Sequence, residues 1–580
     1  MDVVLQATGN YPSTGNRVLL LVVNTALEAE YTVFERTLLP AIHHFGFPYR
    51  LIDLAREGAD PEPLADAAAI VLAHDGIASA LGEALWKEIV TAVRKGCGAL
   101  SWDGAIHKAE AAVRLFFGIE DTVPAEFDDI RFGDSTHYVS AWQEAGAHYR
   151  FLRSVPGTAV TRQTNSFETI AEDGAGRPLA ATVRKVFVDE GKRCAFYFSP
   201  LLWQRSVFGH AMGLDDLLWR SIVWVARKPF AALLMPPFVT CRIDDVSGSY
   251  DHLDYVRVLN EHGWIPNLGL FLEDLDEEDL KAASRLSREG NAEISAHSFD
   301  ELERCKPDQI YLKHNGEEYE PEELAEHFQR LDSFYAKWDI TPSRTVNIHY
   351  DELGLNALPY LYKRNQPFTM GLIPFGVAWS ANSYSWEPYP YGHQGFNYGP
   401  MEPDHRFWNV VAHHLGGYKT PDTHMGVGEF LGSCTVFAGE NGHNDISRAV
   451  DRGAAALKIG VGSRFFGTLM THEQRIAVIP PDEWLAIVSG ISERLARWPE
   501  KPVFESYDRI AAYCKDKRRT RIVSAAASEY RTEIRFELEG VVETGLSVAV
   551  FTDESEGCRC EWHAVGPFSG RREQLAKIVL

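Results

Sequence analysis

The sequence has little of what marks a membrane-embedded or disulfide-rich secreted protein. Its longest apolar runs, residues 18–23 and 230–239, are shorter than the roughly 18 residues that a membrane-spanning helix needs. Residues 1–6 contain no basic stretch leading into an apolar one, so we expect no secretory signal. The 8 cysteines are scattered over 580 residues, which is typical of free thiols in a reducing compartment. We therefore expect a cytoplasmic location and no membrane partner.

Basic residues are also scarce relative to acidic ones. The chain has 57 Lys and Arg against 81 Asp and Glu, a formal net charge of -24. An acidic surface repels phosphate backbones, which argues against a nucleic-acid partner. The hydrophobic fraction of 45% is ordinary for a globular protein, and 580 residues are too many for one core. We expect several domains, and the sequence leaves open whether the chain forms a homo-oligomer.

The first segment, residues 1–232, alternates between apolar strands and helices. The continuous apolar run 18–23 is typical of a buried parallel strand, and a helical pattern follows over 27–45. This alternation predicts a flavodoxin-like α/β domain. The segment resembles the glutamine-amidotransferase-like domains attached to some carbohydrate-active enzymes. An active member carries a Cys nucleophile in a tight turn where this chain has 103–105, Asp-Gly-Ala. We therefore expect a structural or ligand-docking role rather than amidase chemistry.

The last segment, residues 502–580, shows strand-like alternation. Apolar and polar residues alternate over 530–538, and a second alternating stretch follows over 546–550. Antiparallel strands with one solvated face produce this pattern. We predict a small C-terminal β-sandwich with no catalytic group of its own.

The middle segment, residues 237–498, carries polar side chains just past the ends of several predicted strands. These side chains are Asp244, Asp245, His297, His349 and His472. In a parallel barrel the carboxyl ends of the strands converge on one face, where catalytic groups collect. Any one of these residues alone is equally well explained as a turn, a helix cap or a structural histidine. Their shared placement favours a functional rim.

At these residues the chain resembles the polysaccharide deacetylase family, carbohydrate esterase family four. The first family motif, Thr-Phe-Asp-Asp-Gly, reads Arg-Ile-Asp-Asp-Val over 242–246, and the second, His-Ser/Thr-x-x-His, begins at His297. The resemblance implies a distorted (β/α)7 barrel. It gives Asp244 the role of catalytic base, Asp245 and His297 the role of metal ligands, and His472, in a late Leu-x-x-His, the role of general acid. The implied cofactor is a divalent metal ion, with Zn²⁺ as the expected ion.

The third metal ligand is where the chain departs from the family. Glu301 stands where the second motif has its second histidine. A carboxylate can bind zinc, but His314 or His349 can also supply the missing imidazole. We favour His314, because a second imidazole reproduces the Asp-His-His ligand set of the family. The third family motif, Arg-x-Pro-Tyr, has no clear counterpart, with only Arg344 or residues 347–349 near its place, so the sequence does not say how Asp244 is oriented.

The residue types suit amide hydrolysis. Water is a poor nucleophile at neutral pH, and a divalent ion held by two His and one Asp lowers its pKa to about 7 in well-known zinc sites. Asp244 would take the proton from that water. His472 would protonate the departing amine, which is otherwise a very poor leaving group.

An inserted region before His472 is rich in aromatic residues. These are Trp379, Tyr384, Trp386, Tyr389, Tyr391, Phe396, Tyr398, Phe407 and Trp408. Aromatic faces bind sugar rings, which favours a capped carbohydrate cleft, but a satellite core packing over the barrel explains them equally well. Histidines of the region have no recognised ligand spacing and are interpreted as structural or substrate-contacting: His393, His405, His413, His414, His424 and His443.

The sequence as a whole predicts a metal-dependent hydrolase of a carbon–nitrogen bond. N-deacetylation of an amino sugar or oligosaccharide is the leading hypothesis, with a carbohydrate or other small amide as substrate. Some members of this barrel family open cyclic amides or ureides, and the missing second-motif histidine favours that alternative. A non-catalytic carbohydrate-binding protein is the third hypothesis.

Overall fold

The computed structural model describes residues 16–56, 64–133, 137–185, 187, 189–204, 214–300, 309–371, 373, 375–378, 398–400, 406–411, 429–431, 445–555 and 557–578. These residues form two compact units. One unit joins the described residues up to 234 with those from 519 onward, and the other contains the described residues from 235 to 518.

The N-terminal segment forms one large mixed sheet with helices. Its strands are β1 (Leu19–Val23), β2 (Tyr49–Asp53), β3 (Ala69–Leu72), β4 (Gly98–Ser101), β5 (Ile119–Arg131), β6 (His148–Gln163), β7 (Phe167–Glu172), β8 (Pro178–Val183), β9 (Arg193–Phe196) and β10 (Phe230–Ala232). Its helices are α1 (Glu28–Arg36), α2 (Leu38–Phe45), α3 (Ile77–Ala80), α4 (Glu83–Arg94), α5 (Ala111–Phe116) and α6 (Asp215–Val225).

The large sheet has the order β2-β1-β3-β4-β9-β8-β7-β5-β6. Strands β2, β1, β3, β4 and β9 pair in parallel, and the others pair antiparallel. Every residue of β1 is buried, which explains its continuous apolar sequence. The α/β prediction is confirmed. The predicted helix over 27–45 is divided at Thr37, because Pro40 lacks the N–H that a continuous helix requires.

The middle segment contains two further sheets. Its strands are β11 (Phe238–Val246), β12 (Pro266–Phe271), β13 (Glu293–Ser298), β14 (Thr345–Val346), β15 (Phe368–Thr369), β16 (Tyr398–Pro400), β17 (Trp408–Val410), β18 (Gly467–His472) and β19 (Val503–Phe504). Its helices are α7 (Tyr255–Glu261), α8 (Glu277–Glu289), α9 (Pro321–Trp338), α10 (Leu358–Lys363), α11 (Ile446–Gly462), α12 (Glu473–Ala477), α13 (Pro481–Leu495) and α14 (Tyr507–Arg518).

The middle sheets are mostly parallel. One has the order β13-β12-β11-β18, with β19 also paired to β11, and the other has the order β14-β15-β17-β16. A parallel bridge between Ile294 and Pro342 connects them, and among the strands that the structure describes here only β16 runs antiparallel. Among the described residues no strand pair closes this array into a ring, so the (β/α)7 barrel stays a prediction. Within the same residues, no helix has the length and apolar character to cross a bilayer.

The C-terminal strands belong to the same unit as the large sheet. They are β20 (Thr520–Ala527), β21 (Glu533–Val542), β22 (Leu546–Asp553), β23 (Cys558–Val565) and β24 (Phe568–Lys577). They form two antiparallel sheets, β20-β21-β24 and β10-β22-β23. Because β10 of the N-terminal segment completes the second sheet, residues 502–580 are not the separate sandwich that the sequence predicts. The structure nonetheless reflects the alternation of apolar and polar residues over 530–538, because Ile534, Phe536 and Leu538 are all buried.

Candidate active site

The polar residues at the strand ends of the middle unit meet at one edge of its parallel sheet. Asp244 of β11 is the register partner of His472 of β18. His297 lies near the end of β13, two strands from β11 on the other side. The carboxyl ends of parallel strands share one edge, so residues far apart in sequence become neighbours.

Asp245 is brought to this edge by a local irregularity in β11. The pairing of β11 with β12 shifts register between Ile243 and Val246, and Asp245 has φ 54°. In a regular strand two consecutive side chains point to opposite faces. A bulge and a left-handed residue change that direction, at a cost of about 1–3 kcal/mol. The chain thereby directs Asp245 towards three histidines.

Asp245, His297 and His349 form a compact group of potential metal ligands. Each offers one ligand atom, and these atoms lie within 4.8 Å of one another. The Asp245 Oδ1 atom is 3.1 Å from His297 Nε2 and 3.7 Å from His349 Nε2. The two imidazole rings are 5.0 Å apart, and Phe271 packs edge-on against both.

Both imidazoles make a contact through Nδ1, the ring nitrogen that faces away from Asp245. His297 Nδ1 donates to the carbonyl oxygen of Asn347 at 3.1 Å, which leaves Nε2 facing Asp245. His349 Nδ1 lies 3.3 Å from the side-chain amide of Gln309. The nearer amide atom is the nitrogen Nε2, whose N–H donates to Nδ1. A half-turn of the Gln309 amide would let Nδ1 donate to the amide oxygen and would leave the lone pair of His349 Nε2 facing Asp245. Burial and the neighbouring His297 lower the pKa of His349 to about 3, so this ring is neutral at physiological pH.

This donor set fits a divalent metal ion. One carboxylate and two neutral imidazoles are the protein ligands of many catalytic zinc centres, which keep a further position open. Hydrogen bonds from the outer ring nitrogens to protein groups are also typical of such centres. His297 and His349 are buried, whereas 22% of the Asp245 side chain is exposed, so the group is accessible from the Asp245 side.

His314, the favoured third ligand, is not part of this group. Its Nδ1 atom lies 3.2 Å from Glu352 Oε2, and 44% of its side chain is exposed. His349 lies beside Asp245 and His297 instead, directly before a sharp turn at Tyr350 and Asp351, both with positive φ. The remaining alternative, Glu301, lies outside the described residues.

Asp244 is held by a buried arginine. Arg242 Nη2 lies 2.6 Å from Asp244 Oδ2, and Arg242 Nε lies 3.0 Å from Oδ1. Asn347 Nδ2 donates to Oδ1 at 2.7 Å. Burial alone would raise the pKa of Asp244, but the Arg242 guanidinium holds that pKa well below its usual range. Asp244 is therefore ionised and only weakly basic.

His472 faces Asp245 on one side and Glu429 on the other. Its Nε2 atom is 3.8 Å from Asp245 Oδ2, and its Nδ1 atom is 3.3 Å from Glu429 Oε1. Arg475 Nε donates to the other Glu429 oxygen at 2.9 Å. Burial acts to lower the pKa of His472, but Glu429 and the two aspartates raise it to about 9. A protonated His472 can donate a proton.

Three residues of the site are not among those that the sequence predicts to be functional. Arg242 could have been found, because alternate residues of a strand share a face and Arg242 precedes Asp244 by two. Asn347 contributes both its side chain and its carbonyl, and only its nearness to the missing third motif pointed to it. Glu429 has no sequence signal, since it is a lone acid in a Gly-rich stretch.

The inserted aromatic region is largely beyond what the structure describes. Of its aromatic residues, Phe407 and Trp408 are described and buried. Tyr398 lies in β16, and the remaining aromatics and the six histidines of the region lie outside the described residues. The predicted carbohydrate cleft therefore stays a prediction.

No protein-family model matches the chain, and none of the curated proteins compared with it matches. The chain has a distant likeness to a number of solved structures, three of which are described here. One from Bacteroides uniformis, provisionally described as ThuA-like, is 11% identical with a TM-score of 0.27, over 38% of this chain and 96% of that one. One from Mycobacterium smegmatis, provisionally described as a polysaccharide deacetylase, is 10% identical with a TM-score of 0.30, over 49% of this chain and 95% of that one.

The third structure is the exo-β-1,4-mannosidase Op5Man5 from an Opitutaceae bacterium. It is 16% identical with a TM-score of 0.24, over 38% of this chain and 36% of that one. Identities and TM-scores this low do not assign a function to the chain.

Proposed function

We propose that the middle unit is a metal-dependent hydrolase of carbon–nitrogen bonds that removes the acetyl group from an amino sugar or oligosaccharide. The observation that carries the proposal is the group of Asp245, His297 and His349, flanked by Asp244 and His472. A ligand set, a carboxylate and a proton donor are the three components that amide hydrolysis by water requires.

Asp245, His297 and His349 would hold the ion. A divalent ion in that position supplies Lewis acidity, which polarises the amide carbonyl and makes water acidic enough for a base as weak as Asp244. Zinc suits this mixture of one carboxylate and two imidazoles.

Asp244 would accept the proton of the attacking water. The contacts with Arg242 and Asn347 fix the direction of its carboxylate, which a proton acceptor needs. A carboxylate with so low a pKa is ionised at every pH at which the fold is expected to persist, so it is always ready to accept.

His472 would protonate the leaving nitrogen. Glu429 accepts from its Nδ1, which directs Nε2 towards the Asp245 side of the site. An amine leaves as a neutral molecule only after protonation, so without this donor the tetrahedral intermediate would expel the attacking oxygen instead.

The proposed substrate class comes from the family resemblance of the motifs around Asp244 and His297. The sequence favours the alternative of a cyclic amide or ureide only through the missing second-motif histidine, and His349 would supply that imidazole. The geometry therefore favours the deacetylase hypothesis. A substrate panel of N-acetylated sugars and cyclic ureides tests the choice directly.

The test combines metal analysis with an assay for released acetate. Purified protein should contain about one divalent ion per chain and release acetate from N-acetylglucosamine oligomers. Asp245→Ala and His297→Ala should lose the ion and the activity together, whereas Asp244→Asn and His472→Ala should keep the ion and lose turnover. Activity that survives chelation would refute the mechanism. Sugar binding without acetate release would support the non-catalytic hypothesis.

A further inference from the structure

The first unit contains a cavity that the proposed hydrolase does not use. It has a volume of about 930 Å³ and is lined by residues that follow β1, β3 and β4, among them Glu30, Asp75 and His107. Strands β2 and β3 flank β1 on opposite sides, so the chain reverses its direction of winding at this point. In open α/β sheets, ligands bind at the carboxyl ends of the strands where the winding reverses.

Hydrogen bonds and close packing fix the loops that form the walls of the cavity. The buried carboxylate of Asp103 accepts the backbone N–H groups of Gly76, Ala78 and Ala105 at 2.9, 2.6 and 2.9 Å. This ties together the loops that follow β3 and β4. A Cβ atom on Gly104 would lie 2.4 Å from the backbone nitrogen of Ser199, so only glycine fits there. The cavity is therefore formed before any ligand arrives.

Asp75 supplies a carboxylate on the cavity wall. Its Oδ1 atom accepts the N–H of Gly104 at 2.7 Å, which fixes its position. Burial raises its pKa, and the charge of Glu30 adds to that effect. A cation in the cavity would compensate a carboxylate that is poorly solvated.

His107 supplies an oriented acceptor. The Thr158 hydroxyl donates to the carbonyl oxygen of Gly104 at 2.7 Å, so it accepts from His107 Nδ1 at 2.9 Å. The proton of the neutral ring is thereby placed on Nδ1, and Nε2 is left with a lone pair. Burial and the neighbouring Lys108 lower the pKa of His107, which keeps the ring neutral.

The charges of the lining favour a cationic ligand. Glu30, Asp75 and Glu126 contribute three carboxylates, whereas Lys108 is the only Lys or Arg among the described residues of the lining. Acceptors of this kind also suit ligands rich in hydroxyl groups. Apolar surface from Leu27, Pro124 and Pro156 can cover the face of a small ring.

We propose that this cavity binds a small polyhydroxylated amine, in which the ammonium group pairs with Asp75 and a hydroxyl group donates to His107 Nε2. The site is independent of the hydrolase site and needs none of its residues. Amino sugars released by N-deacetylation belong to this chemical class. Only the choice of D-glucosamine as the probe rests on the proposed function.

Calorimetric titration of the full-length protein with D-glucosamine tests the proposal, at a pH below the pKa of its amine. We expect binding that is at least about tenfold weaker for D-glucose and for N-acetyl-D-glucosamine, which lack the charge. Asp75→Asn keeps the acceptor for Gly104 and should weaken binding by a similar factor. Ala80→Trp, at an exposed lining position, should block the cavity.

Two control variants separate this site from others. Glu88→Gln removes an exposed acid of α4 that does not line the cavity, and it should bind D-glucosamine as the wild type does. His297→Ala should also leave this binding unchanged, even if the hydrolase proposal fails. Absence of D-glucosamine binding by the wild type, or equal binding by Asp75→Asn and Ala80→Trp, would overturn the proposal. Equally tight binding of ethylamine would overturn its polyhydroxylated part.

Discussion

Arg242 and Asp244 form a two-point ion pair within a single strand, with both side chains buried. Arg242 Nη2 also lies 3.3 Å from Asn347 Oδ1, and Nη1 donates to the carbonyl oxygen of Met370 at 3.2 Å. The arginine therefore links β11 to the chain segments after β14 and β15. It provides the orientation of Asp244 that the missing third family motif left unexplained.

Replacing Arg242 should damage both stability and turnover. Arg242→Leu leaves a buried carboxylate without its counter-charge, which typically costs about 3–5 kcal/mol. Arg242→Lys keeps the charge but loses the two-point geometry, so we expect a folded protein with reduced turnover. Urea unfolding and acetate release measure the two effects.

Arg257→Leu is the matched control for that experiment. Arg257 pairs with Asp254 and Glu261 on the surface, and 59% of its side chain is exposed. Exposed ion pairs contribute little to stability because water screens them, so this variant should unfold almost as the wild type does. If Arg242→Leu unfolded at the same urea concentration as Arg257→Leu, the buried pair would have no structural importance.

The third metal ligand is tested by two histidine variants. His349→Ala removes an imidazole that lies in the group with Asp245 and His297, and His314→Ala removes one that lies beside Glu352. Loss of a group that only orients a ligand costs about 10–100-fold in metal affinity, so loss of a ligand should cost more. We expect His349→Ala to lose the ion on dialysis and His314→Ala to retain it. The reverse result would restore the ligand set favoured by the sequence.

Regular periodicity explains which parts of the fold could be predicted from sequence. Buried strands such as β1 and alternating strands such as β21 show their environment directly in their residue pattern. The assignment of β20–β24 to the N-terminal unit could not be predicted, because it depends on pairing between Phe230 and Phe551, which are far apart in sequence. Local patterns carry no information on such pairing.

The residues of the candidate site also divide into those that a local sequence pattern predicts and those that it does not. The sequence places Asp244, Asp245, His297 and His472 just past strand ends. In the structure they lie among the last three residues of their strands and are brought together, although their roles stay predictions. His349 follows the two-residue strand β14 and precedes the sharp turn at Tyr350 and Asp351, and neither feature has a periodic signal. The choice between His314 and His349 therefore depends on the three-dimensional structure.

The absence of a side chain at Gly269 leaves space for His297 and Asn347. A Cβ atom there would lie 2.7 Å from His297 Nδ1 and 2.9 Å from Asn347 Nδ2. Both neighbours are buried and held by hydrogen bonds, so they cannot move freely. We expect Gly269→Ala to displace His297, to cost about 1–3 kcal/mol of stability and to weaken metal binding about 10–100-fold. Gly462→Ala, whose Cβ would meet nothing within 4 Å, should leave metal binding unchanged. Equal metal affinity of the two variants would contradict this account of Gly269.

Lys517 should make stability depend on pH. This lysine of α14 is only 5% exposed. Burial lowers its pKa from 10.5 to about 7, with a smaller opposing effect of Cys514 and a further lowering by Arg518. Between those two pH values the unfolded chain binds a proton that the folded chain does not, so this residue makes stability rise with pH, by about 1.4 kcal/mol per pH unit.

The Lys517→Met variant isolates this contribution. Its stability relative to the wild type should be highest near pH 7 and should decline steadily towards pH 10.5, because only the wild type gains from deprotonation. Lys281→Met, an exposed lysine of α8 with 55% of its side chain accessible, serves as the control. Thermal unfolding of the three proteins across this pH range measures the difference. A stability difference for Lys517→Met that does not change with pH would show that the buried amine keeps its proton in the folded chain.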